Sequence, residues 1–371
     1  MKVSQLPAKV WGRLSGLTLQ MGGRILSSTW QPYSRLFFAS DGFAWVLSWE
    51  SREVSAVARS LGINVADSRW VNGARKQSIF YSDQYFLNRP ELLQRGNRVG
   101  FAYFHGRPFK QGDEFSAVYE TFRRNHERVS RVQVSNSVFR DVVLESGIAP
   151  EKVHLIPIGI NLDFFSMQTA ESRRAARAKY GIPESAVTVG SFQKDGSGWG
   201  EGMEPKLIKG PDVFVKTIRI LKDRIPELFV VLSGPARGYV KKNLNEMGVP
   251  YKHLFLDEYP EIGKLFQTLD LYIIASRDEG GPKAILESMA SGVPLVTTRV
   301  GQAVDLVKHG DNGWMVESED IEGLAHWSSW VLQNRGNLTE QIASGRKTAE
   351  SNCYQAQSPA WRKLFTGFVE F

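Results

Sequence analysis

A single cysteine, Cys353, stands in a chain of 371 residues. That excludes an intrachain disulfide and a cysteine-ligated zinc site. The six histidines are scattered, with no metal-ligand spacing. No apolar run reaches the roughly 18 residues that a membrane span needs. The stretch from Trp11 to Leu19 is broken by glycine and arginine, which makes a poor signal peptide, so the expected compartment is the cytoplasm. There is no Asp-x-Asp pair of the kind that holds a metal ion against a diphosphate. There is also no six-residue glycine fingerprint for dinucleotides and no Gly-Lys-Ser/Thr, so nicotinamide and P-loop chemistry are not supported.

What is present is ordinary globular material. At 371 residues the chain exceeds the ~250–300 at which one core usually divides, so two domains are expected. Charge is uneven. Residues 1–165 hold 21 Lys and Arg against 14 Asp and Glu, a surplus of seven, and the remainder holds 25 of each. The whole net charge of +7 therefore lies in the first half, which suits an anionic partner. No nucleic-acid motif accompanies it, so nucleic acid is not expected. Arg124, Arg128 and Arg131 are spaced to lie near one side of a helix and its exit, toward such a partner.

Strand and helix patterns alternate throughout, which predicts parallel sheets wrapped by helices. In the first half, strands are expected at 45–49, 77–81, 99–104, 132–134 and 153–156. Helices are expected after the first of these and over 115–129; residues 1–40 show no sustained periodicity. In the second half, strands are expected at 186–190, 228–233, 253–256, 270–275, 293–297 and 314–316. One helix opens at Pro211, a favoured first helical residue. The first domain is placed at 1–165 and the second at 166–350, with a terminal amphipathic helix in 351–371.

The most informative stretch runs from Arg277 to Gly292. A strand enters a Gly-Gly-Pro turn and then a helix. Glu279 sits in the turn, and Glu287, eight residues on, lies about two helical turns further along. A carboxylate beside free amides at a helix start suits a ligand carrying hydroxyls and an anionic group. The second carboxylate suits a diol elsewhere on that ligand. A nucleotide sugar has this shape.

These residues resemble the Glu-x7-Glu signature of the retaining family 4 glycosyltransferases, also called glycosyl transferases group 1. Their context is similar as well: Gly190 to Phe192, Lys209-Gly210, Leu232 to Arg237, Gly292 to Thr298, Val300-Gly301, Asn312 to Val316, Ser135 to Ser137, and Val153 to Phe165. The resemblance covers roughly residues 100–330. It implies an α/β chain of GT-B fold, with two doubly wound Rossmann-like domains facing across a cleft. It also implies a C-terminal helix that crosses back to the first domain.

The activity implied is transfer of a sugar from a nucleotide-diphosphate sugar to a hydroxyl acceptor with retention of configuration. No metal or other cofactor is implied. Glu279 resembles the residue that binds donor sugar hydroxyls, with the Gly280 and Gly281 amides and Lys283 beside it. Glu287 resembles the ribose-binding glutamate, and His105 a histidine that approaches the donor sugar. Lys209 matches a lysine that neutralises the diphosphate. The family's arginine after the strand is missing, since Ser191 and Gln193 stand there; Lys194 or Arg237 is the expected substitute. Gly190, Ser191 and the glycines of 196–202 are expected to let backbone approach a phosphate. For the acceptor, an anionic glycan or a lipid-linked saccharide fits both the family and the basic first half, with peripheral contact at the cytoplasmic face of a membrane. Two other readings stay open: a nucleotide-sugar epimerase of the same fold, and a scaffold subunit without catalysis.

Overall fold

The computed structural model describes residues 31–39, 46–94, 96–104, 106–108, 113–198 and 200–371. His105 lies outside the described residues, as do residues 1–30 and Trp45. The chain forms two compact units. The first takes residues 1–134, 139–156 and 358–371, and the second takes 135–138 and 157–357. The division thus falls after Ile156 and not at 165, because the intervening segment bonds to the second unit. Ile158 N–H donates to Gln302 at 3.0 Å, and Tyr354 N–H donates to the Ile160 carbonyl at 3.2 Å. Likewise the return to the first unit begins at Ser358, seven residues later than expected.

The first unit contains β1 (Leu36–Ala39), α1 (Val46–Ser60), β2 (Val65–Ala66), β3 (Ser78–Tyr81), β4 (Arg98–Tyr103), α2 (Asp113–Asn125), β5 (Val129–Val134), most of α3 (Ser137–Leu144) and β6 (Val153–Leu155). Among the described residues its sheet runs β2-β1-β3-β4-β5-β6, with every pair parallel. Residues 46–49 of the strand expected at 45–49 are instead the first turn of α1. Glu50, Val54, Val57 and Ala58 are all buried, at the four- and three-residue spacing of one helix face. The strand that does fill that place, β1, is only four residues long.

The segment 358–371 completes this unit. Trp361 and Phe365 are fully buried, with ring centroids 6.1 Å from Phe80 and 6.4 Å from Phe38 respectively. Ser78 donates to the Phe368 carbonyl. Arg98 pairs with Glu370 at 2.7 Å, and Arg131 donates to the carbonyls of Leu364 at 2.9 Å and Thr366 at 2.7 Å. Arg131 therefore clamps the returning chain and does not join Arg124 and Arg128 on an outer face. Gly100 leaves the space: a Cβ there would meet Phe80, Phe368 and Arg131 at 3.0–3.2 Å.

His154, on β6, is buried and held down to a pKa of about 4 by burial and by the nearby Arg131 and Lys363. The unfolded chain takes up this proton near pH 6.5 and the folded chain only near pH 4. Stability is thus full above pH 6.5 and falls as pH drops toward 4, by about 1.4 kcal/mol per unit. Acid titration of thermal stability should show a shallower loss in His154→Leu than in the wild type; parallel curves would exclude this origin.

The second unit contains α4 (Ala170–Tyr180), β7 (Val187–Phe192), α5 (Pro211–Arg224), β8 (Leu228–Ser233), α6 (Gly238–Met247), β9 (Tyr251–Leu254), α7 (Ile262–Phe266), β10 (Leu271–Ile274), α8 (Ala284–Ala290), β11 (Leu295–Thr298), α9 (Ala303–Leu306), β12 (Trp314–Val316), α10 (Ile321–Asn334) and α11 (Thr339–Ser351). The sheet order is β12-β11-β10-β7-β8-β9, again parallel throughout. The chain winds outward from β7 in one direction and then from β10 in the other. The crevice past the ends of β7 and β10 is the topological switch point, where doubly wound sheets bind ligands. Among the described residues, no helix is long and apolar enough to cross a membrane.

Candidate active site

Glu279 lies five residues beyond β10, at that switch point. Its carboxylate accepts from Lys209 Nζ at 2.5 Å and from Ser276 Oγ at 2.9 Å. The two charged side chains are mostly buried, 26% exposed for Lys209 and 11% for Glu279, so their attraction is only partly screened.

Local sequence explains the approach. Lys209 ends a short turn, and Gly210 follows in the left-handed region at φ 62°. A Cβ at Gly210 would lie 1.9 Å from the Ala275 carbonyl oxygen, so only glycine lets this turn rest on the end of β10. Arg277 fastens the same two segments. Its guanidinium makes two 2.8 Å bonds to Asp212 at the start of α5 and donates to the Leu207 carbonyl at 2.6 Å. Asp212 above all, with Glu319, holds the Arg277 pKa above the ordinary arginine value, while Arg277 holds the Asp212 carboxyl low.

The turn after Glu279 is held from other directions. The Gly280 carbonyl accepts from Ser135 Oγ at 2.5 Å and Asn136 Nδ2 at 2.6 Å. Gln302 donates to the Pro282 carbonyl at 3.2 Å. A Cβ on Gly281 would press on Ile158 at 2.7 Å. The helix α8 begins at Ala284, so both glycines belong to the turn that precedes it.

Glu287 is buried, 4% exposed, and accepts from the Tyr259 hydroxyl at 2.5 Å. Burial pushes its carboxyl pKa up, while the Tyr259 hydrogen bond and the Lys283 charge oppose the rise. Lys283 is held beside two tyrosines. Its ammonium donates to Tyr354 at 2.8 Å and lies 5.4 Å from the ring centroids of both Tyr259 and Tyr354.

Three expected ligand contacts fall elsewhere. Arg237 is buried, paired with Asp195 at 2.9 Å, and donates to the carbonyls of Ser191 at 2.6 Å and Ser233 at 2.8 Å. Its charge is spent inside the unit, so it is corrected from diphosphate ligand to internal strut; Ser191 Oγ is its partner at 3.1 Å. Gly190 lies within β7, where a Cβ would collide with Leu269 at 2.3 Å, so it serves packing.

The glycine-rich loop is a small folded hairpin, bridged between Gly196 and Pro205. A Cβ at Gly196 or Gly202 would strike the Ala236 carbonyl at 2.3 or 2.2 Å. Loop carbonyls of Glu201 and Gly202 take the first amides of α6, those of Gly238 at 2.7 Å and Tyr239 at 2.9 Å. The close approach that these glycines permit is to the chain itself. Lys194 is half-buried, and burial lowers its pKa.

The sequence reading missed Ser276, Tyr259, Gln302 and Asp195. Ser276 follows the strand directly and carried a local signal. Tyr259 lies 28 residues from Glu287, and nothing in the sequence connects the two.

Two parallel doubly wound units, the second carrying a Lys209–Glu279 site at its switch point, define a protein of the GT-B fold. Residues 204–348 match the family of glycosyl transferases group 1. The match agrees with the resemblance drawn from the sequence.

Among curated relatives, a D-inositol 3-phosphate glycosyltransferase of Corynebacterium aurimucosum is 29% identical over 61% of this chain and 52% of its own length. The lipopolysaccharide core biosynthesis mannosyltransferase LpsB of Rhizobium meliloti is 28% identical over 39% of this chain and 44% of its own. The chain therefore spans about half the length of the curated relatives it matches. Among solved structures, HepE of Anabaena in complex with UDP-glucose superposes with a TM-score of 0.73 at 15% identity. That match covers 90% of this chain and 99% of HepE. A glycosyltransferase from Rickettsia africae gives 0.65 at 16% identity, covering 91% and 98%. These likenesses establish the fold.

Proposed function

We propose that this chain is a retaining glycosyltransferase that moves a sugar from a nucleotide-diphosphate sugar to a hydroxyl acceptor without a divalent metal. The observation that carries the reading is the Lys209–Glu279 pair at the switch point, within the segment that matches glycosyl transferases group 1. A cation and a carboxylate side by side suit a ligand with an anionic group next to hydroxyls. On donor binding, Lys209 would turn from Glu279 to the diphosphate, and Glu279, still held by Ser276, would accept from sugar hydroxyls. Glu287 would take the ribose diol. The work of the site is then electrostatic: it stabilises the departing diphosphate and fixes the sugar. The Anabaena protein's complex with UDP-glucose supports a donor of this class. The surplus of basic residues in 1–165 supports an anionic or lipid-linked acceptor met at a cytoplasmic membrane face.

A panel of nucleotide sugars scored by thermal shift and by hydrolysis tests the donor. At a hundredfold excess over Kd, the matching donor should stabilise the protein by about 2.7 kcal/mol. If no member of the panel binds, the reading fails; turnover of the donor with no acceptor present would mark an epimerase instead. With the donor known, activity should survive a chelator. Charge-assisted bonds from Lys209 are worth ~1.5–3 kcal/mol, so Lys209→Ala should cost at least about 10-fold. Loss of activity in chelator, restored by magnesium or manganese, would overturn metal independence.

A further inference from the structure

We propose that Tyr259 and Lys283 are positioning residues that hold the Glu287 carboxylate for its ligand, and that Lys283 acts there and not on the diphosphate. The proposal rests on the reading of Glu287 as the acceptor of the donor's ribose diol.

A lysine that meets a phosphate needs an ammonium that can turn toward it. That of Lys283 is boxed in. Two tyrosine rings stand 5.4 Å away, the Tyr354 hydroxyl lies at 2.8 Å and the Gly159 carbonyl at 3.4 Å. Tyr259 is shared: its ring lies beside the ammonium and its hydroxyl is bonded to Glu287. The three residues come from the turn after β9, the cap of α8 and the body of α8. The tie runs on through Tyr354 to the chain just before it leaves this unit.

This arrangement has a chemical purpose. A buried carboxylate accepts from both hydroxyls of a neutral diol only when it is ionised and fixed in orientation. Burial works against ionisation, and the Tyr259 hydroxyl and the Lys283 charge counter it in part. The other titratable groups on the elements packed around α8 do not take this part. Tyr272 of β10 is buried and kept neutral, Lys264 of α7 is exposed, and Arg346 of α11 is bonded to Glu350 and to the carbonyls of Phe165 and Ala290.

Two measurements test the proposal. In the ligand-free protein, the infrared carboxyl band that Glu287→Gln removes should titrate at higher pH in Tyr259→Phe and in Lys283→Met, by about one unit. Lys283→Arg, which keeps the charge, should restore the wild-type midpoint. With the donor identified by the panel, Tyr259→Phe should raise the donor KM about 10-fold or more, with a smaller change in kcat. The acid limb of kcat/KM should move up by the same unit. Melting temperatures taken alongside separate folding defects from these effects. Unchanged midpoints in folded Tyr259→Phe and Lys283→Met overturn the positioning role whatever the donor. A shifted midpoint in a protein that binds no nucleotide sugar overturns the diol assignment of Glu287 instead.

Discussion

Glu279→Ala is expected to lower kcat/KM by about 100-fold or more, with most of the loss in kcat. Removing one preorganised electrostatic contact at a reacting centre typically costs 10²–10³ in rate. Here the carboxylate also sets the resting position of Lys209, so its loss disturbs the cation as well. Glu279→Gln keeps an acceptor oxygen and the Ser276 contact but gives up the charge, and should fall between. Because Glu279 and Lys209 touch, their effects should not add. The double variant should be only slightly worse than the poorer single one. Steady-state kinetics of the wild type and these variants with the correct donor decide the matter. Wild-type values for both single variants would mean that the reaction centre lies elsewhere.

The largest stability effect is expected at Arg177, on the far side of the sheet's chemistry. Its guanidinium is 1% exposed and pairs at 2.9 Å with Asp270, itself 6% exposed. It also donates to Thr188 Oγ1 at 2.8 Å and to the carbonyls of Thr268, Glu184 and Ala186. Burial pulls its pKa down and Asp270 opposes this. Such a pair contributes little net over an apolar equivalent, but Arg177→Ala also empties a buried space and takes the guanidinium donors from the carbonyls of Thr268, Glu184 and Ala186, while Asp270 keeps Arg173 at 2.6 Å. The cost is then ~3–5 kcal/mol. Arg177→Ala should accordingly lower the melting temperature of the second unit by about 10 °C. Arg174, three residues earlier, has an exposed pair with Glu184, and Arg174→Ala should change stability by less than about 1 kcal/mol. Equal effects at the two sites would show that burial does not govern these pairs.

Arg177 also shows why some of the molecule could be read in advance and some could not. The strands of the second unit were legible because parallel strands buried on both faces are apolar runs with sharp ends, as β8 is at Leu228–Ser233. Glu279 and Glu287 were legible together because their spacing is local to one strand–turn–helix step, and Lys209-Gly210, seventy residues before Glu279, because it directly precedes the helix opening at Pro211. The apolar run at 45–49 misled, since a few apolar residues read alike as a strand or as the first turn of a buried helix. Arg237 misled for a different reason. An arginine after a strand end looks the same whether it faces a ligand or, as here, Asp195 forty-two residues before it. Glycines report that backbone comes close to something, and for Gly196 and Gly202 that something is Ala236. The Tyr259–Glu287 and Arg177–Asp270 contacts exist only once distant segments have been brought together, so no window along the sequence contains them.

The return of residues 358–371 to the first unit has a consequence for the order in which the chain is made. Domains usually fold in sequence as they leave the ribosome, the N-terminal one first. Here the nascent first unit emerges with its rings at Phe38 and Phe80 lacking Phe365 and Trp361, and with Ser78, Arg98 and Arg131 lacking the carbonyls and carboxylate of 364–370. Some two hundred residues must be translated before those partners arrive. The second unit, drawn almost wholly from 157–357, is by then complete. Of the two units, the one synthesised first is the last to be finished.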